Sequence, residues 1–242
     1  MSEDHASAIV IGGCGGIGAA ITERLVPRYQ TVATFAVNEQ RADALRSRLV
    51  SQGTIEVLRC DAREESELGV AFDAAQALGG LRVAVHCVGG WDYPRLIDLT
   101  VAQIDQSLAL NLKSALLVLR EAARRVEDGG RVVLLSSAAA AVAPARQITY
   151  AAAKAGLEIA ARVAAKELAT RSVTVNVVRP GATDTETLRT GTSDRAIQAM
   201  AASNAMRRLG EPEDVAGVVE ALVVADMGWV TGGVIDATGG LN

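Results

Sequence analysis

Short apolar runs alternate along the chain with longer stretches in which apolar positions recur every three or four residues. Strands are expected at 8–11, 31–35, 55–59, 83–87, 131–135, 173–178 and 234–236. Several are nearly continuous in Val and Leu, as strands covered on both faces are. Helices are expected at 17–27, 39–51, 64–77, 101–126, 150–170 and 212–224, with Pro212 suited to a helix start. This order is that of βαβ units and predicts an α/β fold. The expected architecture is one Rossmann-type doubly wound parallel sheet of about seven strands, with helices on both faces. No linker, repeat or charge run interrupts the chain, so residues 1–242 are expected to form a single domain. Residues 181–206 fit the alternation poorly. They are polar and Thr-rich and follow the carboxyl end of a strand, and they read either as a lid over a site or as an ordinary surface helix and loop.

Composition narrows the classes. Half of the residues are apolar but only 3% are aromatic, so the core must be built from Ala, Val, Leu and Ile. A net charge of −4 with scattered Lys and Arg offers no basic field for nucleic acid. The first five residues are polar and acidic, which argues against a signal peptide, and no apolar run approaches the ~18 residues of a membrane span. Cys14, Cys60 and Cys87 lack paired-ligand spacing and are expected as reduced thiols in a cytoplasmic protein. His5 and His86 stand far apart, so no metal site is expected.

Two clusters carry candidate chemistry. Tyr150 and Lys154 stand four residues apart, on one face of an expected helix, with Ser137 thirteen residues upstream of the tyrosine. A phenol titrates near pH ~10 and is a poor proton shuttle at neutrality, whereas an adjacent ammonium favours the phenolate. With a serine hydroxyl to hold a carbonyl oxygen, the pair could protonate a ketone or deprotonate an alcohol. The spacing alone is common in helices. The second cluster is the loop from Gly12 to Gly18 between the first strand and the first helix, in which five of seven residues are Gly. Such a loop lets a pyrophosphate approach a helix N-terminus, where free N–H groups and the dipole favour anions.

Taken together, these motifs resemble the short-chain dehydrogenase/reductase family, and within it the 3-oxoacyl carrier-protein reductases and ketoreductases. The run Ile11-Gly12-Gly13-Cys14-Gly15-Gly16-Ile17-Gly18 is similar to the family's glycine loop, with Ile11 in place of the usual threonine. The resemblance implies that Gly12, Cys14, Gly15, Gly16, Ile17 and Gly18 cradle a dinucleotide. It also implies that Phe35 lies by the adenosine and that Asp61 and Ala62 meet the adenine; the competing reading of Asp61 is a helix cap. Ser137, Tyr150, Lys154 and Asn111 would form the catalytic group, with Asn111 linked through water to the lysine. A purely structural role is the alternative for Asn111. Tyr150 and Lys154 would also touch the cofactor, and Pro180, Gly181, Thr183 and Thr185 would meet its nicotinamide half. Trp91, with Ser137 and Tyr150, is expected to line the substrate pocket. The family is commonly tetrameric, which implies a homotetramer or a homodimer.

Two departures bear on the reading. Where the family usually carries Asn-Asn-Ala-Gly after strand four, this chain has His86-Cys87-Val88-Gly89, with Val88 and Gly89 expected beside the cofactor. His86 then either makes a structural hydrogen bond or adds a titrating group, and Cys14 and Cys87 read as small space-fillers. The end of strand two, Thr34-Phe35-Ala36-Val37-Asn38, carries no carboxylate for a ribose 2′-hydroxyl, which leans the choice to NADP(H) and leaves NAD(H) open. Arg41 is the nearest cation, while Glu39 could still swing toward the ribose. The sequence thus points to a ketone reductase using NADPH. Its rivals are NAD-dependent oxidation of a secondary alcohol (sugar, polyol or steroid), a non-redox enzyme on the same fold, and a cofactor sensor.

Overall fold

The computed structural model describes residues 6–224 and 226–241, so the acidic start with His5 lies outside the described residues. Seven strands form one sheet, β1 (Ala6–Ile11), β2 (Gln30–Phe35), β3 (Ile55–Arg59), β4 (Gly80–His86), β5 (Arg131–Leu135), β6 (Thr174–Pro180) and β7 (Val234–Ala237). Their spatial order is β3-β2-β1-β4-β5-β6-β7. Every pairing is parallel, with Val10 facing both Ala33 of β2 and Val85 of β4. The order reverses between β1 and β4, the switch point at whose carboxyl ends such sheets bind their ligands.

Alternation along β1 distributes the core. Ile9 and Ile11 pack with α3 (Glu65–Leu78), α5 (Ser114–Arg125) and α7 (Ile148–Leu168). Ala8 and Val10 pack on the opposite face with α1 (Gly16–Leu25) and α10 (Pro212–Val224). Because both faces are covered, the strands are apolar in nearly every position. A third cluster joins α2 (Glu39–Leu49) to β2, through Ala42, Leu45 and Leu49 against Ala33 and Val57.

Local chemistry starts the helices. The Asn38 side chain accepts from the Arg41 amide to cap α2, and Thr100 and Gln103 form a reciprocal capping box at α4 (Val101–Leu108). The expected continuous helix 101–126 is broken: α4 and α5 are separated by a π turn over Ala109–Lys113 that contains Asn111. In it the Ser114 amide reaches back five residues to the Ala109 carbonyl, while the Ser114 hydroxyl takes the carbonyl of Leu110. Three further helices form, two of them within 181–206, where a surface helix and loop was one of the two readings. They are α6 (Ala139–Val142), α8 (Glu186–Gly191), capped by Thr185, and α9 (Asp194–Ser203), capped by Ser193. Among the described residues no helix is long and apolar enough to cross a membrane.

Candidate active site

β1 ends directly in the glycine loop, and each bend there has a steric reason. Gly12 adopts φ +80°, and a Cβ on it would stand 3.1 Å from Val88 Cγ2. A Cβ on Gly18 would lie 2.1 Å from the Gly12 carbonyl oxygen, so any side chain there would push loop and helix apart. The Gly12 amide donates to Thr34 Oγ1 at 2.9 Å and the Cys14 amide to the Thr34 carbonyl at 3.2 Å, which pins the loop to β2. Helix α1 begins at this loop with no side-chain cap and no acidic residue in its first turn. Its leading amides therefore present an uncompensated positive end, which fits a pyrophosphate.

Of the residues expected at the cofactor, Cys14 differs in kind from the glycines. Its side chain is buried in the α2–β2 cluster and burial pushes its thiol up to about 11, so only its backbone belongs to the loop. Phe35 sits at the end of β2, and its carbonyl accepts from the Cys60 amide at 2.7 Å. Asp61 follows β3, with its carboxylate held by Arg63 Nε at 2.9 and 3.1 Å, and this hydrogen bonding lowers its pKa. It does not cap α3: the N-cap is Glu64 and makes no side-chain bond there, while Glu67 accepts from the Asp61 amide. Ala62 is buried in the core. Gly181 donates to the Ala237 carbonyl at 3.0 Å, and Thr183 Oγ1 donates to the Gly181 carbonyl at 3.1 Å. Thr185 reaches the glycine loop itself, since a Cβ on Gly16 would stand 2.6 Å from Thr185 Cγ2.

The four expected catalytic side chains converge at the ends of β4 and β5. Ser137 follows β5 and hydrogen-bonds Tyr150, which lowers the phenol's pKa. Burial acts more strongly in the other direction, with Tyr93 adding to it, so the net shift of Tyr150 is upward. This net direction is opposite to the one expected, and Lys154 is not among the groups shifting the phenol. The ammonium is instead turned to carbonyls, donating to Leu135 at 2.8 Å and Val88 at 3.2 Å, and lies 6.0 Å from the Tyr150 ring centroid. Burial lowers the pKa of Lys154 to about 8, opposed weakly by Cys87. Asn111 donates to the carbonyls of Gly90 (2.9 Å) and Ser107 (3.0 Å) and accepts from the Gly90 amide at 3.0 Å. Gly89 permits the meeting of lysine and asparagine: a Cβ there would lie 3.0 Å from Lys154 Nζ and 3.1 Å from Asn111 Oδ1. The indole of Trp91 is tilted 56° to the Tyr150 ring at 6.0 Å.

Other site residues carried no sequence signal. Thr34 is one of them. Beneath Ser137, Ser136 donates to Glu158 Oε1 at 2.7 Å, and Arg179 clasps the same carboxylate at 3.0 and 2.8 Å. Glu158 follows Lys154 by one helical turn, so this buried pair supports the helix behind the lysine. Across the crevice, Arg41 of α2 forms an ion pair with Glu186 of α8.

Comparison with known proteins agrees with this geometry. A family model described as enoyl-(acyl carrier protein) reductase matches residues 12–242. The chain is 33% identical to a short-chain type dehydrogenase/reductase of Picea abies, over 96% of this chain and 91% of that protein. It is 31% identical to the chloroplastic NADPH-dependent aldehyde reductase 2 of Arabidopsis thaliana, over 96% of this chain and 92% of that one. The fold superposes on a short-chain dehydrogenase from Burkholderia cenocepacia J2315 in complex with NADP, with TM-score 0.90 and 31% identity, covering 98% of each chain.

Proposed function

The chain belongs to the short-chain dehydrogenase/reductase family of NAD(P)-dependent oxidoreductases, and from that premise we propose that it reduces a ketone to a secondary alcohol at the expense of NADPH. The observation that carries the reading is the meeting of Ser137, Tyr150, Lys154 and Asn111 beside a glycine cradle whose uncapped helix end favours an anion. When bound, the nicotinamide supplies hydride to the carbonyl carbon. Tyr150 donates its phenolic proton to the carbonyl oxygen, and Ser137 orients that oxygen by hydrogen bonding. Lys154 is the buried cation of the site and holds the nicotinamide ribose. Asn111 positions a water that returns the proton through Lys154. Gly12, Gly15, Gly16, Ile17 and Gly18 hold the pyrophosphate by backbone groups. Phe35, Asp61 and Ala62 border the adenosine, while Val88, Gly89, Pro180, Gly181, Thr183 and Thr185 border the nicotinamide half.

NADPH is preferred to NADH in this reading because Arg41 stands in the first turn of α2, just beyond the end of β2, and no carboxylate ends the strand. The NADP complex of the Burkholderia protein and the name of the Arabidopsis reductase support the same choice. Residues 181–206 act as the substrate lid, supported by the contact of Thr185 with Gly16 and by the polar helices α8 and α9. Trp91 supplies an aromatic wall against a partly apolar ketone. Homotetramers or homodimers form through α5 and α7, where Leu116, Ile159 and Val163 lie exposed. The protein works in the cytoplasm, in keeping with its three free cysteines. The test is Tyr150→Phe in the purified enzyme, assayed for NADPH oxidation against a ketone panel. Turnover should vanish while NADPH binding persists, and retained turnover would remove Tyr150 as the acid.

A further inference from the structure

His86 closes β4 where the family usually has asparagine, and it is wholly buried beside the catalytic group. Its Nε2 lies 3.0 Å from Ser114 Oγ. The serine hydroxyl has one proton and donates it to the Leu110 carbonyl at 2.5 Å. It must therefore accept from His86, which fixes the tautomer as Nε2–H. Burial, reinforced by the charge of Lys154, pushes the imidazole pKa down to about 3. His86 is consequently neutral throughout the working range: a fixed donor, and no proton relay.

The contact falls on the least regular part of the helix. The π turn Ala109–Lys113 opens the α-helical ladder and frees carbonyls that its own side chains then take. Such single π turns are rare and need support from outside. Two ties come from the end of β4 and the loop that follows it. One is His86 to Ser114 at the close of the turn, and the other is Gly90 to Asn111 within it. Between them, the Val88 carbonyl accepts from Lys154. One short stretch of chain thus sets the helix that carries Asn111 against the lysine.

We propose that His86 is a positioning residue for the carbonyl chemistry: its hydrogen bond to Ser114 fixes the phase of the π turn and so holds Asn111 beside Lys154. The proposal rests on the reductase reading for its kinetic consequence, but the structural tie can be measured without turnover. Hydrogen–deuterium exchange over residues 105–116 should accelerate about tenfold in His86→Leu, and kcat should fall about tenfold. The KM for NADPH should change less than kcat, because the glycine cradle, although Ile11 pairs with His86, is pinned from its other side by Thr34. His86→Gln, whose amide N–H can take the place of Nε2–H, should restore both readouts. Ser114→Ala should repeat the loss, and the double variant His86→Leu/Ser114→Ala should lose little beyond either single change. Should His86→Leu fail to fold, Ser114→Ala carries the same test by removing the acceptor. Unchanged exchange in both single variants, faster exchange with undiminished kcat, or losses that simply add would each overturn the proposal. A wild-type enzyme that reduces no ketone would sink the reductase reading instead, leaving the exchange measurements to judge the tie.

Discussion

The ammonium of Lys154 donates to the carbonyl of Leu135 at 2.8 Å from a position that is 2% exposed. Burial places its pKa near 8, below the ordinary value of 10.5. The folded state therefore binds this proton less tightly than the unfolded chain does, and between about pH 8 and 10.5 the unfolded chain holds more protons. Stability from this group rises with pH across that window and is lost as pH falls through 8. Relative to Lys154→Met, the wild-type melting temperature should climb from pH 7 to pH 9.5. In the pH dependence of kcat/KM, loss of the Lys154 charge should produce a falling limb near pH 8 that Lys154→Met lacks.

Two glycines should respond in opposite directions to alanine. Gly18→Ala drives a methyl against the Gly12 carbonyl at 2.1 Å, so NADPH affinity measured by fluorescence titration should fall at least about tenfold and the melting temperature should drop. Gly69 lies inside α3 with nothing within 4 Å of its would-be Cβ. Gly69→Ala should stabilise by about 0.8–1.0 kcal/mol, raising the melting temperature by about 2–4 °C with activity unchanged.

The Arg41–Glu186 pair bears on cofactor choice. Arg41→Ala should weaken NADPH binding about tenfold while leaving NADH nearly untouched, since only the former carries a 2′-phosphate. Glu186→Gln frees the guanidinium and should tighten NADPH. Equal effects on both dinucleotides would place the 2′-phosphate elsewhere.

Ile159 and Val163, 56% and 50% exposed on α7, stand four residues apart on one face. The proposed homotetramer or homodimer predicts that replacing both by Glu shifts the sedimentation velocity profile to smaller species, with the fold retained in circular dichroism.

Much of the architecture was legible because hydrophobic period reports element type directly. All seven strands and five of the six expected helices lie where their apolar patterns place them, within a few residues at their ends. The glycine loop was legible because close approach admits only Gly at positions such as Gly12 and Gly18. The break at Ala109–Lys113 was not legible. Leu108, Leu112 and Leu119 continue the helical period through it, and the cause lies partly in His86 and Gly90, more than twenty residues away in sequence. α6 left no sequence signal because its alanine-rich segment carries little period to read, while the polar stretch 181–206, where α8 and α9 form, read only as a lid or a surface helix and loop.

The candidate site divides along the same line. Spacing alone put Tyr150 and Lys154 on one helical face, since a residue and its neighbour four positions on share a side. The sequence likewise determined the strand–glycine–helix cradle and the order of the motifs. Tertiary structure decided the electrostatics. The sequence suggested that Lys154 lowers the Tyr150 pKa, but that outcome depends on direction and burial, which no spacing encodes. In the fold, the ammonium faces the Leu135 and Val88 carbonyls and burial raises the phenol. Only the folded chain could reveal that Ser136, Glu158 and Arg179 meet beneath Ser137, or that His86 holds Ser114. Local pattern fixes what a segment becomes; which buried charges and donors meet is settled by packing between segments far apart in the chain.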